Sequence, residues 1–191
     1  SDRTGNQLEQ LQFALSGALS KGEVNKPFID LFVAEQADKL AKALQNNDTQ
    51  TIEQIDAAFE GIIGQLRSLD SPLVEELNAA KSRILSVQDE LGNRALAADE
   101  VADMARQRKI AAEETIVSQF LSRIKKGAAQ SNPSITVKRE LLGSDPGNFI
   151  DALMTEIDKL PADQQIPARM ATQSMLLRTI NDTIKTSTTI A

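Results

Sequence analysis

The sequence predicts an all-α protein: an elongated antiparallel helical bundle with one very long helix. Three observations carry this. Ile52, Ile55, Phe59, Ile62, Leu66 and Leu69 recur at spacings of 3, 4, 3, 4 and 3, as on a helix that buries one stripe. Ile166, Met170, Leu177, Ile180 and Ile184 repeat the pattern near the end of the chain, with Gln173 in the gap. No segment alternates with a strand's period of two, and Ile135-Thr136-Val137 is too short to count.

The first helix carries Leu8, Leu11, Leu15 and Leu19, with Thr4 or Asn6 as its cap. Gly22 interrupts it. Pro27 then opens a second helix over about 28–45, with Phe28, Leu31, Phe32, Leu40 and Leu44 inward. Asn46-Asn47-Asp48-Thr49 makes a turn and cap. The third helix holds the Ile52 stripe and ends near Leu69. Asp70-Ser71-Pro72 supplies a cap residue and a proline for the first turn of the next helix.

No proline occurs between Leu73 and Ala129. One row there runs Leu77, Ile84, Leu91, Ala98, Ala105 and Ala112; a companion row runs Ala80, Val87, Arg94, Val101 and Arg108. Both keep phase through Gly92-Asn93, where a turn would be expected to reset them. Residues 72–129 therefore read as one helix of about 55 residues, some 80 Å long at about 1.5 Å per residue. A C-cap at Gly92-Asn93 is the alternative. Past residue 109 the seam moves to Ile110, Val117, Phe120 and Ile124, as it would on leaving one bundle for a second one stacked on it. On this reading residues 1–191 form a single domain whose sub-bundles share the long helix.

Ser131-Asn132-Pro133 ends that helix. Residues 131–147 are the least regular part, with a turn at Gly143-Ser144-Asp145-Pro146-Gly147. A short helix over about 149–160 carries Ile150, Leu153, Met154 and Ile157. Pro161 and Pro167 bracket the link to a last helix over about 164–187.

The composition suits narrow helical seams. Apolar residues make up 41% of the 191 and aromatic residues only 3%, all of them Phe. His, Cys, Trp and Tyr are absent. Without Cys there is neither a disulfide nor a thiolate metal site. Without His there is no Glu-x-x-His di-iron site. Asp145-Pro146-Gly147 lacks calcium-loop spacing, and no glycine-rich phosphate cradle or Gly-x-Ser-x-Gly nucleophile is present. Glu75-Glu76, Asp89-Glu90 and Glu113-Glu114 point about 100° apart on a helix and read as solvated faces. No enzyme, metal or cofactor is expected. A net charge of −6, with no extended basic block, argues against nucleic acid. No run reaches the roughly 18 apolar residues of a membrane span, and Ser1 opens no signal peptide.

The misfits are Arg94 and Arg108, 14 residues apart in a row otherwise set by Val87 and Val101. A guanidinium in a seam must be paired or reach water. One reading is an interhelical ion pair, or a level of the seam that faces solvent. The other makes Arg94 and Arg108 ligand-binding residues for a small anion, since their planar forks match a carboxylate. Arg106 and Lys109 lie near them. Phe28, Phe32 and Phe59 fit a core better than a pocket lining. Residues 131–147 are either a lid or docking loop, or a plain connection.

The stretch from Gln50 to Leu77, with its Ile52-to-Leu69 stripe, Asp70-Ser71-Pro72 turn and restart at Leu73-Val74-Glu75-Glu76-Leu77, resembles a known family. It is similar to the extracytoplasmic helical sensor modules of bacterial chemoreceptors and sensor histidine kinases, of the helical bimodular type. The likeness is one of helix layout and composition over roughly residues 1–130. It implies the periplasmic part of an inner-membrane signalling receptor, often a homodimer. Such a domain binds a small organic acid, an amino acid or a periplasmic binding protein, and meets the membrane only through flanking segments. An even number of main helices would bring both ends to one side, where such segments could attach. The competing expectation is a structural or assembly protein of a phage, secretion apparatus or scaffold, or an adaptor, whose seams bind partner helices.

Overall fold

A computed structural model of the chain describes residues 2–125 and 132–190, with side chains described for 6–125 and 132–186. Helix is the regular structure among them: α1 (Asp2–Ser20), α2 (Lys26–Gln45), α3 (Thr49–Ser68), α4 (Leu73–Leu91), α5 (Arg94–Ile124), α6 (Pro133–Leu141), α7 (Pro146–Asp158) and α8 (Ala162–Ile190). The expected all-α class is the observed one. The residues group into two compact units, Ser1–Lys109 and Ile110–Ala191. The boundary falls inside α5, beside the position where the apolar row changes face.

In the first unit the helices are joined by short turns. α1 begins upstream of Thr4 and Asn6, so neither is its cap. Leu8, Leu11, Leu15 and Leu19 are all buried as expected. Gly22 sits at φ 77, the left-handed conformation that a helix C-terminus asks of glycine. The Asn25 side chain then accepts the Phe28 N–H at 3.4 Å, and Pro27 occupies the first turn of α2. At the next turn Asp48 Oδ1 accepts the Thr51 N–H at 3.0 Å. At the third, Pro72 stands at the cap position of α4 rather than inside its first turn and no side chain caps the helix in the usual way, although Ser71 Oγ accepts the Leu73 N–H at 3.2 Å. Asp70 takes the positive φ of 53° that closes α3.

α2 packs against α1, α3 and α4, and α3 also touches α1 and α4. Burial follows the stripes. Ile55, Phe59, Ile62 and Leu66 are buried, while Leu69 has left the helix and is 39% exposed. Phe32 and Phe59 meet edge to face, with ring centroids 5.6 Å apart and planes at 69°, a favoured aromatic geometry. Together with buried Phe28 they are core, not a pocket lining.

The expected single helix over 72–129 is broken at Gly92-Asn93. Gly92 adopts φ 62 and ψ 13, and its N–H donates to Gln88 O at 3.0 Å. Asn93 Oδ1 accepts the Leu96 N–H at 3.1 Å and so caps α5. An αL glycine followed by a capping Asn satisfies backbone groups that two separate helix ends leave open. The rows keep their phase across the break all the same: Ile84, Val87, Ala98 and Val101 are buried, and Leu91 alone of the Leu77 row is exposed. α5, at 31 residues, is the longest helix among the described residues. The end expected for it near residue 129 lies outside them. A Cβ at Gly92 would meet nothing within 4 Å, so the cost of Gly92→Ala is conformational. It should be about 1 kcal/mol in urea denaturation followed by circular dichroism. An unchanged midpoint would mean that the backbone there does not hold its left-handed turn.

In the second unit α6 and α7 pack on α8 and on each other. Residues 133–141 form a helix where an irregular segment was expected. Asn132 accepts the N–H groups of Ser134 (2.8 Å) and Ile135 (3.4 Å), and Pro133 follows it in the first turn. Thr136 and Val137 are buried. The signal was a cap-plus-proline start, masked by the shortness of the helix. α7 starts at Pro146 on an Asp145 cap, which accepts the Asn148 N–H at 3.0 Å, and buries Phe149, Leu153 and Ile157. Pro167 lies inside α8 rather than before it.

The stripe expected for α8 is not its buried face. Ala168, Ala171, Thr172 and Met175 have no exposed surface, whereas Leu177, Ile180 and Ile184 are 60%, 39% and 59% exposed. Small residues at i, i+3 and i+4 let neighbouring helices approach closely, which the bulkier stripe would prevent. Glu113 also departs from its expected solvated face. It is fully buried, with Oε1 accepting from Arg178 Nη1, and its neighbour Glu114 accepts from the Ser134 hydroxyl at 2.9 Å. Among the described residues no helix is long and apolar enough to cross a membrane.

Candidate functional site

Two lysines tie α4 to its neighbours. Lys26, at the start of α2, lies 2.9 Å from Asp30 and 3.2 Å from Glu76 of α4. Lys81 of α4 lies 2.9 Å from Asp56 of α3 and also pairs with Glu60. The hydrogen bond to Asp30 is the largest influence on Lys26 and raises its pKa above the ordinary 10.5. The hydrogen bond to Glu60 does the same for Lys81. At the α2–α3 turn the Thr51 hydroxyl, more than its N–H, stabilises ionised Asp48 and lowers its pKa below 3.8.

These shifts fix the sign of the pH dependence. The lysine contributions are fully present below pH 10.5 and are lost as pH rises through the higher folded values. The Asp48 contribution is fully present above pH 3.8 and is lost as pH falls through its lower folded value. Urea midpoints should therefore hold level between about pH 5 and 9 and fall at both extremes. A midpoint that keeps rising above pH 11 would contradict the lysine assignment.

Beside the Lys26 pair is a cleft of ≈ 230 Å³. Ile29 and Val33 of α2, and Leu73, Leu77 and Ala80 of α4, form its apolar wall. Lys26, Asp30 and Glu76 line it, as do Arg83 of α4 and Arg108 of α5. Lys26 already serves both carboxylates. Neither the Arg83 nor the Arg108 side chain has an ion-pair or hydrogen-bond partner among the described residues. A guanidinium carries five N–H donors, so two sets of donors are left to water or to a ligand.

Of the two arginines singled out in the sequence, Arg108 therefore lines a cleft. Arg94 does not. Its Nη1 donates to Asn47 Oδ1 at 3.1 Å and braces the α2–α3 turn. Fourteen residues of helix, about 21 Å, separate the two, so they do not form one site. Lys109 turns to Glu35, 3.1 Å away and nearly buried on α2, and Arg106 pairs with Asp103 of its own helix. Sequence reasoning missed Arg83 and Lys26. The available signal was positional: Glu76, Ala80 and Arg83 stand at i, i+4 and i+7, one step around α4 from the buried Leu77–Ile84 row. No protein-family model, no curated protein and no solved structure matches this chain.

Proposed function

We propose that the chain is an extracytoplasmic sensor domain of a transmembrane chemoreceptor or sensor kinase, in which the first unit receives a small anionic metabolite. The observation that supports this is the pair of unpartnered guanidinium groups, Arg83 and Arg108, at one cleft with an apolar wall. Arg83 and Arg108 stand on either side of the Gly92 break. A ligand that bridges them favours one arrangement of α4 against the first part of α5, and differential affinity of that kind is what a ligand needs to bias a signalling equilibrium. In the receptor the domain would sit in the periplasm as a homodimer, with flanking membrane segments carrying the signal, or with a periplasmic binding protein delivering the ligand.

The test is a thermal melt by circular dichroism, in the presence of a panel of organic acids, amino acids and neutral metabolites. A ligand at about 100 times its Kd adds about 2.7 kcal/mol, a rise of several degrees at this size. The rise should vanish in Arg108→Ala. A panel without a single stabilising compound would count against the sensor reading. The exposed row Leu177, Ile180 and Ile184 favours a second reading, an assembly protein whose α8 docks a partner helix. Concentration-dependent self-association in light scattering, abolished by Ile180→Lys, would favour that one.

A further inference from the structure

We infer that the cleft of the first unit selects a monocarboxylate with an apolar body of about nine non-hydrogen atoms over compact dianions and neutral molecules. This rests on the reading of that cleft as a ligand site. Charge comes first. Lys26 with Asp30 and Glu76 forms a triad, paired at 2.9 and 3.2 Å, whose net charge is −1. Arg83 and Arg108 add +2, so the charged lining sums to +1. One carboxylate balances it. A second negative group would have to approach the Asp30 and Glu76 side of the triad, where like charge repels it.

Size and polarity narrow the class further. The ≈ 230 Å³ available exceeds the roughly 150 Å³ that suits benzene and falls short of the roughly 300 Å³ at which drug-sized pockets begin. At about 25 Å³ per atom, scaled from that enclosed benzene site, about nine non-hydrogen atoms fill it, and a longer body would run out through its open side. Ile29, Val33 and Leu77 are buried at its wall and offer no hydrogen bond, so the body of the ligand must be apolar. Its charged end is met by two guanidinium forks from different helices, each matched in shape to a carboxylate. A neutral amide of the same shape would leave both guanidinium charges without a counter-ion.

The experiment is isothermal titration of the full chain with four probes: phenylacetate, its neutral isostere phenylacetamide, hexanoate and succinate. Phenylacetate and hexanoate should bind saturably, each at least tenfold more tightly than phenylacetamide or succinate. Arg83→Gln and Arg108→Gln should each weaken phenylacetate about tenfold or more, with far-ultraviolet spectra unchanged. Ala79→Trp, at an exposed position on the cleft lining, should block both carboxylates by filling the space. Phenylacetamide or succinate binding as tightly as phenylacetate, and blocked by Ala79→Trp, would overturn the charge selection while leaving the cleft a ligand site. Phenylacetate affinity unchanged in both arginine variants would overturn it too. No binding of any of the four probes would overturn both the selection and the ligand-site reading beneath it.

Discussion

Arg178→Met is expected to destabilise the chain by about 3–5 kcal/mol, the usual cost of breaking a buried ion pair by removing one partner. Glu113 has no exposed surface, and its Oε2 already lacks a hydrogen-bond partner. Taking away the guanidinium strands a carboxylate in a medium that solvates charge poorly. The reverse change, Glu113→Leu, should cost less, because the Arg178 side chain, although its Nη2 is buried without a partner, is 28% exposed as a whole and can turn toward water. The double variant should recover most of the loss, since an apolar pair of similar volume avoids desolvating two charges. Urea denaturation of the two single variants and the double variant gives the coupling directly. Equal, small costs for the single variants, with no coupling, would show that the pair does not hold the second unit together.

Phe59→Ala should cost about 3–5 kcal/mol, in the range of large aromatic truncations in a close-packed core. Phe59 and Phe32 are both fully buried, and their rings meet edge to face. The loss therefore combines burial, a cavity and one aromatic contact. A cycle with Phe32→Leu should isolate about 0.5–1.5 kcal/mol for the ring pair. The control is Phe13, which is 80% exposed; Phe13→Ala should stay within about 0.5 kcal/mol of the parent protein. If Phe13 and Phe59 truncations cost the same, the core is not where the packing puts it.

The first unit was largely legible because its stripes are strong and its turns carry their own chemistry. Ile55, Phe59, Ile62 and Leu66 have no competing apolar face, and Asn25 and Asp48 sit where caps belong. The failures have physical causes. Phase continuity through Gly92-Asn93 does not imply helix continuity, because two helices broken at an αL glycine keep the same apolar rows buried. In α8 the bulkiest stripe in the sequence is largely exposed, while the buried face carries Ala168, Ala171 and Thr172 with Met175. Glu113 looked solvated because its partner Arg178 lies 65 residues away. Of the site, Arg108 was visible as a misfit in a seam. Arg83 and Lys26 were not, because an exposed cation on an amphipathic helix is ordinary until the fold places it beside a cleft.

The short turns of the first unit also bear on how fast it forms. α1, α2, α3 and α4 follow one another through links of a few residues, and each consecutive pair packs together. Among these four helices the other pairings, α1 with α3 and α2 with α4, skip only one helix, and α5, through Lys109 and Glu35 of α2, reaches back further. Little chain entropy is spent closing loops before the contacts that reward it are made. Topologies built from such local pairings fold in the microsecond-to-millisecond range. A nascent chain would thus gain its first native helix pair once α2 is synthesised, well before the residues of α5 that carry Arg108 exist.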